Sequence, residues 1–330
     1  MNYFWLTRRT FVTCRAVKAI SMTRPGSRTC WAHGLIRASL VPPRAIQELR
    51  DLTRTRKQLM REITQHKQRI QKVLEDANVK LASVVSDVFG ESGRRMLKAL
   101  CAGQTDPWQL AALRDGRLSA SRETLAVALQ GKVTAHHRFL LSQHLRMIEY
   151  LEQTIRDFEG QVEVVVAPFR AAVACLVTIP GISLTAAHVI IAEIGVDMSR
   201  FPTVAHMRSW AGLCPQLNES AGRIMSRRLR HGAPWLKTVL VQCAWAATRN
   251  KHNYLYAQFV RLRARRGPQK AIIAVAASIL SIAYYCLRNQ MQYRDLGSLY
   301  FTRADEDRTA QRLARRIKEL GYEVEIRKAA

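Results

Sequence analysis

Two stretches of the chain repeat apolar residues at alternating intervals of three and four. The first occupies positions 49, 52, 56, 59, 63, 66, 70 and 73, with Leu, Leu, Arg, Leu, Ile, His, Ile and Val. The second occupies 141, 144, 148, 151, 155, 158, 162, 165 and 169, with Leu, His, Ile, Leu, Ile, Phe, Val, Val and Phe. That spacing keeps one stripe of a helix turned toward a partner, so each stretch predicts a long helix with a coiled-coil-type seam. Arg56 and His66 interrupt the first seam and His144 the second. Pro42-Pro43 marks a boundary, and the first helix is expected to begin near Arg44. Two long helices joined by a returning segment most simply pack antiparallel, as a stalk that serves for dimerisation or spacing. The other arrangement is a bundle in which each helix covers its own neighbours.

Between the seams, residues 77–131 read as a more globular helical piece, punctuated at Gly90, Gly93, Gly103, Pro107 and Gly116. Beyond them, Leu176 to Ser183 and Thr185 to Ile194 read as helix, tight Pro180-Gly181 turn and second helix. This is a helix-hairpin-helix signature, in which turn N–H groups and a helix N-terminus receive a DNA phosphate without reading sequence. Ser183 stands where that motif usually has a second glycine, and similar hairpins also occur in inert bundles. Trp235 to Ala247 has an apolar helical face of Leu236, Val239, Leu240, Cys243 and Ala247. Ala271 to Leu287 is the longest apolar run; it is short for a membrane span and diluted by Ala and Ser, so it predicts a buried core helix. Asp305 to Ala330 reads as an amphipathic helix (Leu313, Ile317, Leu320), then a strand over Tyr322 to Ile326, together a small cap. The expected fold is mainly α, with an arm over 1–40, a helical linker over 41–170, a C-terminal helical domain over 171–301 and the cap over 302–330.

Charge changes this picture. The 330 residues carry 52 Lys+Arg against 25 Asp+Glu, a net charge of +27, which makes nucleic acid the default partner and an anionic membrane surface the weaker one. Residues 1–47 hold eight Arg/Lys and no acid. Such a segment offers no carboxylate oxygens to a hard cation, and it reads as an arm or a damaged remnant. Its composition also imitates a mitochondrial transit peptide, whereas Met1 to Leu6 is too short for a signal peptide. The seven cysteines are scattered without a C-x-x-C pair, against a disulfide framework or zinc site and for a reducing cytoplasm. No acid lies between Glu219 and Asp295, while fourteen Arg/Lys occur from Arg223 to Arg294. Solvated faces mix signs, so a stretch of one sign calls for an anionic counterpart. Within it, Tyr254, Tyr256 and Phe259 precede Arg261, Arg263, Arg265 and Arg266, a pattern suited to backbone contacts plus stacking on bases. Phe259 is read as core; the two tyrosines stay open.

The candidate chemistry lies between Trp210 and Trp235. Ala211-Gly212-Leu213 closes an apolar segment and Pro215 stops it. The polar turn Asn218-Glu219-Ser220-Ala221-Gly222 follows, then Arg223, Arg227, Arg228, Arg230 and His231. Small residues leave the Ser220 hydroxyl uncrowded, and guanidinium groups can hold an anion beside it. A serine among arginines suggests phosphodiester chemistry, with serine as nucleophile and arginine neutralising the phosphorane. The plainer reading is a polar turn followed by a basic nucleic-acid-binding loop.

Several segments resemble the IS116/IS110/IS902 family of insertion-sequence transposases: Leu35 to Pro43, Glu48 to Arg54, Ile179-Pro180-Gly181-Ile182, Ser209 to Pro215, Asn218 to Gly222, and Asp295-Leu296-Gly297. The resemblance covers roughly 34–327. It implies DNA transposition by two cooperating parts, an N-terminal RuvC-like nuclease fold whose four acids bind magnesium and a C-terminal domain whose serine becomes linked to DNA. It also implies a structured guide RNA and dimerisation through the helical middle. Ser220 matches the family's serine, and Arg223, Arg227 and Arg228 fall in its basic flank. Met22 to Cys30 stand where the last acidic ligands belong, so the nuclease half is expected to be missing and no magnesium to be bound by this chain alone. The resulting expectation is a cytoplasmic, homo-oligomeric DNA transposase, impaired by that loss and with no membrane role. The alternative is a non-catalytic DNA-binding and dimerisation remnant.

Overall fold

The structure, a computed structural model, describes residues 42–116, 118–215, 218–220, 223–226, 228–229, 231–303 and 306–326. The described residues are mainly α-helical, with one two-stranded sheet. The described residues divide into two compact units, one within Leu49–Ala167 and the other within Pro168–Ala330, the second also taking in the described residues up to Glu48.

The helix α1 (Arg44–Asp76) begins directly after Pro42-Pro43 and lies in the first unit from Leu49 onward. It is followed by α2 (Leu81–Val84), α3 (Glu91–Cys101), α4 (Pro107–Ala112), α5 (Arg122–Ala128) and α6 (Ala135–Val166). Thr134 starts α6 with a reciprocal cap: its hydroxyl accepts from the His137 N–H, and His137 Nδ1 accepts from the Thr134 N–H. The long helices run antiparallel, since Arg56 meets Glu159, His66 meets His144, and Asp76 meets His137. Their seams do not face only each other. Ile63 and Ile70 of α1 and Leu141, Ile148, Leu151 and Ile155 of α6 share one core with Leu81, Met96, Leu97 and Leu125 from the shorter helices.

Two backbone hydrogen bonds lace the ends of the shorter-helix segment, Lys80 N–H to Ala128 O and Lys132 N–H to Ala77 O, both 2.8 Å. Gly131 lies at this crossing, where an added Cβ would sit 2.5 Å from Ala77 O. Gly93, expected as punctuation, is instead inside α3. An added Cβ there would lie 2.0 Å from Val88 O, so the glycine serves close packing rather than a break.

The second unit contains α7 (Arg170–Val177), α8 (Leu184–Ile194), α9 (Val204–Trp210), strands β1 (Asn218–Ser220) and β2 (Arg223–Ser226), α10 (Pro234–Ala247), α11 (Tyr254–Arg266), α12 (Pro268–Asn289), α13 (Tyr300–Arg303) and α14 (Glu306–Glu319). Its centre is α12, which packs against α7, α9, α10 and α11. Ala271, Ala276 and Ala283 let neighbours approach, and Ile272, Val275, Ile279 and Leu280 fill the space between them. Tyr284 is fully buried there, its hydroxyl donating to Phe201 O at 3.2 Å. By length and composition two helical stretches could cross a membrane, Ala135–Val177 and Pro268–Asn289; the core residues of α12 are buried within the unit. All five apolar positions predicted for α10 are buried as well.

The C-terminal segment departs from expectation. Leu313, Ile317 and Leu320 of α14 are exposed, with Ala314 buried among them. Tyr322 to Ile326 forms no strand. A strand needs a paired strand to complete its ladder, and among the described residues no strand pairs with this segment.

Candidate functional site

The polar stretch expected as a turn over 218–222 is largely strand. β1 pairs antiparallel with β2, matching Asn218 with Ser226, Glu219 with Ile224 and Ser220 with Arg223; a bridge from Pro215 to Leu229 extends the pairing. Only Ala221 and Gly222 separate the paired Ser220 and Arg223, the spacing of a two-residue hairpin loop. Those two residues lie outside the described residues, as do Arg227, Arg230 and the Ser220 side chain. An irregular register between Asn218 and Glu219 marks a bulge, a feature that increases local twist. Asn, Glu and Ser have low strand preference, so local propensity pointed to a turn; the cross-strand ladder overrides it. Arg223, Arg228 and His231 are exposed.

The hairpin is pinned at its base. Gly212 takes φ +73°, and Leu213, buried, donates its N–H to Arg208 O at 3.1 Å. On the return side, a Cβ on Gly232 would lie 2.2 Å from the Ala211 carbonyl carbon and 2.3 Å from Gly212 N. The incoming and outgoing chains therefore cross backbone to backbone, which only a residue without a side chain permits.

From this crossing α10 leads away for 14 residues, about 21 Å at 1.5 Å per residue. The Pro180-Gly181 turn sits at its far end. Gly181 has φ +85°, and an added Cβ would lie 2.2 Å from Cys243 O and 2.6 Å from Ala247 N. Contact with α10 thus requires this glycine whatever ligand the turn meets. Ile179 and Ile182 are buried on either side. Ser183, in place of a second glycine, caps α8 by accepting the Ala186 N–H. The hairpin and the Pro180-Gly181 turn therefore occupy opposite ends of α10.

Asp295 closes the turn end. Its Oδ1 accepts from Tyr254 N at 3.0 Å and Gly297 N at 2.6 Å, and Tyr293 donates its backbone N–H to Thr178 Oγ1 at 2.9 Å. A carboxylate at the first residue of α11 is favourably placed against the helix dipole. Burial and the adjacent Asp295 push the Tyr293 phenol well above its ordinary value. Arg261, Arg263, Arg265 and Arg266 lie on the last turns of α11, all exposed. Arg261 sits 4.8 Å over the Phe301 ring and Arg263 5.6 Å over Phe259. Phe259 is buried, as read from the sequence. Tyr254 is engaged within the unit, stacked on Phe301 at 5.3 Å and edge-on to Tyr300 at 5.1 Å. Two polar residues escaped notice in the apolar pattern of α8: His188 and Glu193 are both buried, and both have interaction partners.

The second unit thus presents a pinned polar hairpin at one end of α10, a glycine turn at the other, and exposed arginines on the last turns of α11. Residues 173–260 match the sequence model described as Transposase IS116/IS110/IS902 family. That segment runs from α7 into α11 and takes in Ile179 to Ile182, Ser209 to Pro215 and Asn218 to Gly222; Glu48 to Arg54, Asp295 to Gly297 and Arg261 to Arg266 lie outside it. Over that segment the chain is similar to the transposases of this insertion-sequence family. No curated protein matches it.

Proposed function

We propose that the chain transposes DNA through Ser220 at the hairpin tip. The Ser220 oxygen attacks phosphorus in a strand, a P–O bond forms to the enzyme, and the displaced strand leaves as a hydroxyl that takes up a proton. A hydroxyl of another strand then attacks the phosphoserine and restores the serine. The observation that carries this reading is the register: Ser220 and Arg223 are paired across the two-residue loop, which sets a hydroxyl-bearing residue opposite a cation able to neutralise a phosphorane. Arg227, Arg228 and Arg230, which follow β2 in the sequence, supply further charge. The Pro180-Gly181 turn, read as a helix-hairpin-helix, and Arg261 to Arg266 hold the duplex backbone farther off.

Among the described residues no group of three or more His, Cys, Asp or Glu is placed to hold a metal. The proton that Ser220 gives up on attack balances the one the leaving strand takes up, both exchanged through water. A guide RNA and a homo-oligomer belong to the same proposal. The acid-free sequence of residues 1–47 favours a second reading, in which the chain binds DNA and dimerises without cutting.

A denaturing gel for covalent protein–DNA adducts tests the two. Supercoiled DNA with the element's ends, magnesium and cognate RNA would be offered to wild type and Ser220→Ala, with and without a full-length relative. An adduct lost in Ser220→Ala supports the serine reading, and one retained by that variant overturns it. Binding without any adduct favours the second reading.

A further inference from the structure

The histidines that interrupt the two apolar seams meet each other. His66 on α1 and His144 on α6 bring their Nδ1 atoms to 3.0 Å, with ring centroids 5.1 Å apart and ring planes at 61°. Buried Ile63 and Ile70 on α1 and Leu141, Leu145 and Ile148 on α6 flank the pair along their helices. Two facing ring nitrogens at that distance make a hydrogen bond only when one carries a proton and the other a lone pair. The contact therefore holds while at least one imidazole is neutral. Once both rings are cations, two N–H donors and two positive charges face each other.

The charged groups acting on the pair are Arg69 and Glu62, each about one turn from His66 on α1. Arg69 opposes protonation of both rings, and Glu62 favours it on His66. Burial, the larger cause, and Arg69 hold both histidines below their ordinary value of 6.5. We propose that the His66–His144 contact is a pH-sensitive clasp, which holds the two long helices of this unit in register at neutral pH and releases them in acid. An apolar pair would pack this seam at least as stably, and a polar pair in a seam specifies register. With folded values depressed, the stabilisation is fully present above 6.5 and is lost as pH falls through the lower folded values.

The test uses the full chain. Thermal midpoints and hydrogen exchange would be compared at about pH 7.5 and about pH 5 for wild type and His66→Leu/His144→Leu. The clasp predicts that wild type loses several degrees in acid and loses protection over 60–72 and 138–150, while the double variant loses markedly less of both. Equal losses in the two proteins would overturn it. Should the variant not fold, an imidazole NMR titration of wild type decides: coupled titration below the ordinary value supports the clasp, and independent titration at that value overturns it. Stabilisation by micromolar zinc at neutral pH, reversed by a chelator, would make the pair a metal site and also overturn the clasp.

Discussion

The unit Leu49–Ala167 holds 19 Arg/Lys and 14 Asp/Glu, and its side chains pair them across helices. Arg94 on α3 grips Glu152 on α6 with both guanidinium nitrogens, Lys98 pairs with Glu149 at 2.7 Å, and Arg56 on α1 reaches Glu159 at 2.9 Å. The unit Pro168–Ala330 holds 25 Arg/Lys against 10 Asp/Glu, so pairing cannot go to completion within it. Its Asp197 serves Arg200 and the Ser199 N–H one turn away, and Asp295 faces backbone N–H groups. Charge in the first unit joins helices to each other. In the second, the arginines of α11 together with Arg223 and Arg228 are exposed on a scaffold whose packing is carried by α12 and by glycine contacts. The lesson is that one chain uses the same residue type for cohesion in one unit and leaves it exposed in the other, where the proposed function would set an anion against it.

The comparison breaks most sharply at the glycine contacts. Gly232→Ala sets a methyl against the Ala211-Gly212 backbone, and Gly181→Ala sets one against α10 at a positive φ. Each is expected to destabilise the second unit by about 3 kcal/mol or more, read as a lower denaturation midpoint, with hydrogen exchange in 49–167 unchanged. A smaller effect is expected from the ion pairs. Arg94→Met removes a bidentate partner from a part-buried carboxylate whose pairing holds the guanidinium above its ordinary range. A loss of about 1–2 kcal/mol is expected, and a double-mutant cycle with Glu152→Gln should show coupling of about 1 kcal/mol. The smallest stability effect is expected from Arg265→Gln/Arg266→Gln. Thermal stability should stay within about 0.5 kcal/mol, while the slope of log affinity for DNA against log salt flattens by about two units. A large stability loss from this pair, or an unchanged slope, would erase the contrast between the units.

Helices were legible because their signals are local. The start of α1 after two prolines, the buried faces of α10 and α12, and the core position of Phe259 follow from spacing within one segment. The candidate site was legible as a set of residue types, a serine followed by arginines, but not as a shape. Asn218 to Ser220 carries no apolar alternation, so its strand shows only once 223–226 lies beside it. The strand expected over Tyr322 to Ile326 and the exposed face of α14 teach the same point: a pattern announces a face or an alternation, not whether anything covers or pairs with it.

Chain chemistry alone determined which segments coil into helices, which faces are apolar, and that positive charge accumulates between Glu219 and Asp295. These are properties of neighbours in sequence, where propensity and periodicity operate. Tertiary structure decided that Ser220 stands opposite Arg223, that Gly232 crosses Ala211-Gly212, that Gly181 leans on α10, that Tyr254 stacks on Phe301, and that His66 finds His144. Except for the hairpin pair, each joins residues twenty or more positions apart, so it depends on how helices pack rather than on what any one of them prefers.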